Sequence, residues 1–228
     1  VVGVGGVSRY LGGRLANAYP PGSAHEILFV EKNKTHLDAI RKNGLRLSAK
    51  DGDAVARPSL ATDDVSKLGK LDVVLMCTKG YDLLTASKMI APVVGKETAV
   101  IPPGNGVGNA DIVREGLGGS GDVLSACIYI STHIVGPGAV EQMAGPRKFF
   151  FGNPDGRTDQ YRALETVFKG GGLNVELTAS ILREVWSKYL FVEPLSVLTS
   201  LYSVPQGGLL TVPARRARVT AMMLELHA

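Results

Sequence analysis

Residues 1–14 read VVGVGGVSRYLGGR, an apolar strand end running into a glycine-rich turn and then an amphipathic helical pattern. Those residue types in that order can hold a pyrophosphate. Gly3 permits a tight turn, Gly5 lets the backbone approach the phosphates without a Cβ in the way, and the first amides of the following helix face the anion. An ordinary glycine-rich strand-to-helix turn has the same composition, and the third position of the G-x-G-x-x-G pattern is Ser8 rather than Gly. The context favours a dinucleotide. Val7, Leu11, Leu15 and Ala18 continue at helical spacing, and a second strand-like run, residues 27–30, follows at the βαβ distance.

Three further segments carry groups that could do chemistry. Cys77-Thr78-Lys79 lies at the C-terminal end of a strand pattern, where open α/β sheets place their ligands, so Lys79 could meet a cofactor or substrate. A solvated lysine opening the next helix reads equally well from position alone. Residues 102–109, PPGNGVGN, form a closely bending loop past another strand, in which Asn105 offers both a donor and an acceptor; a plain turn has the same letters. Residues 186–191, WSKYLF, place Lys188 on an otherwise apolar helix. Such a lysine either snorkels to water or is held at a cleft, where its ammonium can polarise a carbonyl and deliver a proton as hydride arrives.

These groups need a scaffold, and the pattern supplies one. Strand runs at 2–4, 27–30, 72–77 and 98–101 alternate with helical patterns, which implies a parallel sheet with crossover helices. Runs at 124–131, 139–142 and 147–151, joined by Gly136-Pro137-Gly138 and Gly145-Pro146, read as antiparallel additions to that sheet. After Gly170-Gly171-Gly172 and a short strand at 173–177 the pattern turns helical. The expected organisation is a Rossmann-type α/β domain over 1–177 and the start of a helical domain over 178–228.

With 228 residues, 45% of them hydrophobic, the chain can build a real core. No apolar stretch reaches the roughly 18 residues of a membrane helix; the best run, 189–201, is interrupted by Glu193 and Pro194. The net charge of +4 is dispersed rather than gathered in a basic stripe, which argues against a nucleic-acid partner, and Arg215, Arg216 and Arg218 read as a solvated helix face. Cys77 and Cys127 show no metal or redox spacing and suit buried thiols in a reducing cytoplasm. No metal is expected.

Taken together, GVGGVSRYLGGRLA at 3–16, CTKGYD at 77–82, NGVGN at 105–109, WSKYLF at 186–191 and LTSLYSVPQGGL at 198–209 resemble the ketopantoate reductases, 2-dehydropantoate 2-reductases of pantothenate synthesis. The resemblance spans essentially the whole chain and implies NADPH in the cleft with a 2-oxo acid beside its nicotinamide. Lys188 falls on the family's catalytic lysine, which protonates the keto oxygen. Lys79 and Asn105 fall on residues that contact cofactor and substrate, and Gly3, Gly5, Gly6, Val7 and Ser8 fall on the phosphate loop.

The departures set further expectations. Where the family commonly has asparagines one and two turns after the lysine, this chain has Val192, whose side chain cannot hydrogen-bond a hydroxy acid, and Ser196, which takes the substrate-binding place. Ser8 can offer a hydroxyl to phosphate, and Arg9 would add charge near the helix start. The basic residue for a 2′-phosphate falls near Lys32, which with Lys34 favours NADP; Glu31 sits where NAD enzymes keep a carboxylate, which admits NAD. The family's helical domain continues past residue 228, so the resemblance implies a fragment with an exposed apolar face prone to association, and a homodimer is compatible with it. A reductase of another 2-oxo acid and a non-catalytic dinucleotide-binding module are the alternatives.

Overall fold

The computed structural model describes residues 1–227. The chain runs through α1 (Gly6–Ala18), β1 (Leu28–Val30), α2 (Lys34–Asn43), β2 (Leu45–Ser48), β3 (Ala54–Ala56), β4 (Leu60–Thr62), β5 (Leu71–Leu75), α3 (Leu83–Ile90) and β6 (Val94–Ile101). It continues with α4 (Asn109–Leu117), β7 (Asp122–Val123), β8 (Ser125–Gly136), β9 (Ala139–Gly152), α5 (Arg162–Gly170), β10 (Val175–Leu177), α6 (Ile181–Tyr202), α7 (Gln206–Leu210) and α8 (Pro213–His227).

The strands that position the glycine loop are all parallel. Val2 bridges Val30 on one side and Met76 on the other. Its N–H donates to the Leu75 carbonyl at 2.9 Å, and its own carbonyl accepts from Cys77 N at 2.9 Å. With β1 paired to β4, and β5 to β6 to β7, the order across the molecule is β4, β1, Val2, β5, β6, β7. This is the doubly wound arrangement, whose order reverses at the first strand and leaves a crevice at the carboxyl ends. The expected strand at 2–4 is shorter than its apolar letters suggest. Gly3 adopts φ +78° and turns the backbone away, so Val2 alone pairs on both sides.

The later strands do not extend this sheet as expected. β8 and β9 form a long antiparallel hairpin, and the runs at 139–142 and 147–151 are one strand rather than two. β2 pairs parallel to the start of β9 and β10 parallel to its end, while β3 is antiparallel to β2. The result is a second sheet. Gly145 and Arg147, both at positive φ, absorb the irregularity in mid-strand without ending the pairing.

α1 and α5 pack between the two sheets. Tyr10, Leu11 and Leu15 meet Leu75, Ile101 and Leu124 on one side and Ile128, Val140, Phe149 and Phe151 on the other, with Phe168 closing the cluster. The opposite face of the parallel sheet is covered by α3 and α4 through Val74, Met76, Leu83, Ile90, Val100, Val113 and Leu117. Beyond these layers α6, α7 and α8 share a small core of Leu195, Leu198, Leu209 and Val219. Trp186, Phe191, Leu201 and Leu224 of the same helices are exposed. Arg216 and Arg218 face solvent, whereas the Arg215 guanidinium lies 5.0 Å from the Tyr202 ring centroid. Among the described residues no helix is long and apolar enough to cross a membrane.

Candidate functional site

The loop at the end of the first strand has the shape its glycines suggest. A Cβ at Gly3 would stand 2.7 Å from the Thr78 methyl, so only glycine combines that φ with so close a neighbour. Gly5 caps α1 with no side-chain hydrogen bond, and no acidic residue occupies the first turn. The leading amides of α1 are therefore open donors with the positive end of the helix behind them. A Cβ at Gly6 would clash with Thr132 Oγ1, because β8 lies against the same turn. Thr78 Oγ1, buried and without a hydrogen-bond partner, adjoins Gly3. An uncapped helix start, a backbone held free of Cβ atoms and a waiting polar atom fit a dinucleotide pyrophosphate. Gly3→Ala is expected to cost about 1–2 kcal/mol of stability from the left-handed backbone and to weaken dinucleotide binding. A melting scan and a titration of the variant read the two effects separately.

Ser8 and Arg9 do something other than face a ligand. Ser8 is fully buried and its hydroxyl donates to the Gly5 carbonyl at 3.0 Å, which braces the loop from within. The Arg9 charge expected near the helix start is not at the surface. Its side chain is fully buried; Nε donates to the Val4 carbonyl at 2.9 Å, and Nη1 to the carbonyls of Ala139 at 3.0 Å and Gly136 at 3.3 Å. Position 9 lies on the face of α1 that packs against the turn between β8 and β9, where backbone acceptors need a donor. Burial lowers the Arg9 pKa, and the nearby Glu31 opposes that effect.

Lys188 stands on the wall that α6 forms against β8. It is 7% exposed, and its ammonium donates to the Ile128 carbonyl at 2.6 Å and lies 5.5 Å from the Tyr129 ring centroid. It therefore does not snorkel to water. Burial lowers its pKa from the usual lysine value, with an opposing contribution from Cys127. The thiols of Cys77 and Cys127 are themselves pushed up, to about 12 and about 11, by burial, and both are inert at neutral pH.

The asparagine loop is anchored to this wall. Val107 packs with Cys127, Tyr129, Ile181 and Val185, the cluster at the foot of α6. Asn109, to which no pattern in the letters assigns a role, is buried, and its Nδ2 donates to the carbonyls of Gly104 at 3.1 Å and Asn105 at 3.0 Å. The loop is thus pinned from behind while Asn105 itself is exposed. Lys79 stands exposed at the carboxyl end of β5, just before a short 3-10 turn at Gly80–Asp82. Val192 is half-buried and Ser196 exposed; the Ser196 carbonyl accepts from the hydroxyls of Thr199 and Ser200.

At the end of β1, Glu31 is half-buried and Lys32 and Lys34 are exposed. The Asn33 side chain accepts from His36 N and caps α2. Among the described residues no group of His, Cys, Asp and Glu side chains is arranged to hold a metal ion.

The family model described as ketopantoate reductase PanE/ApbA matches residues 1–156. An uncharacterized oxidoreductase of Bacillus subtilis, YkpB, is 28% identical over 227 residues, spanning 99% of this chain and 72% of the relative. A 2-dehydropantoate 2-reductase of Halobacterium salinarum is 30% identical over 223 residues, 93% of this chain and 68% of the relative. The crystal structure of 2-dehydropantoate 2-reductase from Porphyromonas gingivalis superposes with a TM-score of 0.87 at 29% identity, covering 99% of this chain and 78% of that one.

Proposed function

Because the chain belongs to the ketopantoate reductase PanE/ApbA family, we propose that it reduces 2-dehydropantoate, a branched 2-oxo acid, to the 2-hydroxy acid with a nicotinamide dinucleotide. The observation that carries this reading is Lys188, a buried ammonium held on the Ile128 carbonyl beside the anchored asparagine loop. The dinucleotide supplies the hydride. The open amides of α1, those of Gly6 and Val7 first, would hold its pyrophosphate; Gly5, where a Cβ would meet only Ser8 Oγ, leaves the approach clear, and Gly3 and Gly6 admit Thr78 and Thr132 against the turn.

Lys188 polarises the keto oxygen and donates the proton it needs as the carbon becomes tetrahedral. The Ile128 carbonyl fixes the direction of the ammonium while leaving two of its three N–H donors for substrate. Asn105 offers a donor and an acceptor on the same side, and Lys79 supplies charge at the carboxyl end of β5. Such a reaction places the chain in the cytoplasmic synthesis of pantothenate.

A second reading rests on Val192. Its side chain offers no hydrogen bond one turn after Lys188, leaving Ser196 alone to serve the substrate hydroxyl, and this favours a 2-oxo acid without that group. Consumption of reduced nicotinamide should be measured with the purified chain and a panel of 2-oxo acids. Fastest turnover with 2-dehydropantoate is the expected result, and faster turnover with a hydroxyl-free acid selects the second reading. Dinucleotide binding without turnover on any acid would mean a binding module instead.

A further inference from the structure

Resting on the dinucleotide reading above, we infer that Glu31 makes this chain select NADH over NADPH, against the expectation drawn from Lys32 and Lys34. The sheet order decides where each half of the cofactor lies. Lys79 follows β5 and Asn105 follows β6, on one side of the glycine loop, so the reacting half belongs there and the adenosine half lies over the carboxyl end of β1. That end is Val30-Glu31.

The Glu31 carboxylate is fixed by two backbone donors. Val4 N donates to Oε2 at 3.1 Å and Asn33 N to Oε1 at 2.7 Å, while the Glu31 amide itself donates to the Thr62 carbonyl at 2.9 Å. An ionised carboxylate accepts about four hydrogen bonds, so about two remain, one on each oxygen. Two aligned acceptors are what a vicinal ribose diol requires. A 2′-phosphate at the same place offers only acceptors and brings a charge of about −1.5 to −2 against the carboxylate.

The nearby cations do not reverse this. Arg9 is fully buried: its Nε and Nη1 are committed to the carbonyls of Val4, Gly136 and Ala139, and its Nη2, though without a partner, is sealed from solvent. It therefore sits beneath the loop rather than at its rim. Burial first, and then Arg9, lower the His36 pKa from its ordinary value, with Glu31 opposing them, which weakens His36 as a cation at this place. Lys32 and Lys34 are exposed, hydrated ammonium groups that must shed water to pair with a phosphate, whereas the Glu31 carboxylate is already fixed at the loop itself.

The test is a pair of fluorescence titrations of the whole chain with NADH and with NADPH, repeated on Glu31→Gln after a melting scan. The wild type should bind NADH at least about tenfold more tightly than NADPH, and Glu31→Gln should bring the two within about threefold of each other. Equal affinities or a preference for NADPH in the wild type overturn the inference, whatever the variant does. A wild-type preference for NADH that persists unchanged in a folded Glu31→Gln overturns the assignment to Glu31. Failure of the wild type to bind either cofactor overturns the dinucleotide reading and this inference with it.

Discussion

Lys188→Ala is expected to lower kcat by about 10²-fold or more while leaving the affinity for NADH or NADPH within about twofold. In the proposed role its loss removes the proton donor, and because Lys188 on α6 is held by the Ile128 carbonyl rather than by the glycine loop, the phosphate contacts should stay in place. Stopped turnover with intact binding is the signature, read by steady-state kinetics beside a titration. Unchanged turnover would remove Lys188 from the chemistry.

The pH dependence follows from the same burial. With Lys188 as the proposed proton donor in its ammonium form, reduction should fail as pH rises through the folded-state pKa of Lys188, which burial places below the unperturbed 10.5. Between that lowered value and 10.5 the unfolded chain binds the proton that the folded chain has released, so stability rises with pH across the window. Below the window the cost of burying the charge is fully present. Lys188→Met should flatten that alkaline rise in a series of denaturant titrations, an effect that a solvent-exposed lysine would not produce.

Arg9→Leu is expected to cost about 3 kcal/mol, a fall in melting temperature of about 6–12 °C for a domain of this size. The guanidinium serves three carbonyls, those of Val4, Gly136 and Ala139, and leucine would leave these acceptors without their donor. The same change frees the Val4 peptide on its carbonyl side, so dinucleotide affinity should weaken along with stability. Denaturant unfolding gives the first quantity and titration the second. A Leu variant as stable as the wild type would show that these carbonyls find other donors.

The groups that could be read from the letters are those whose chemistry is local. Gly3 announces its turn because a positive φ excludes a side chain, and Lys188 announces itself as one cation among Trp186, Tyr189, Leu190 and Phe191. The alternation of strands and helices from β1 to β6 was legible for the same reason, since each crossover is encoded within a short stretch. The strands β2, β3 and β4 were not, because three or four residues carry too little periodicity, and their pairing with β9, with one another and with β1 defines them. At Gly145-Pro146 the letters signal a turn that would divide β9, but the partner strand β8 carries the pairing across.

Within the site the division falls at the same place. From its sequence alone the chain is a Rossmann-type dinucleotide fold with a glycine loop, an asparagine loop and a helical lysine, because backbone geometry and helical spacing act over a few residues. Only the tertiary structure decided that Arg9 lies beneath the loop rather than on it, since the carbonyls it serves are up to 130 residues away in the chain. It also decided that Glu31 faces the Val4 amide 27 residues earlier and that Lys188 is buried on Ile128 60 residues away. Which groups end up desolvated, and which acceptors they must satisfy, is set by the packing of distant segments, and no local pattern encodes it.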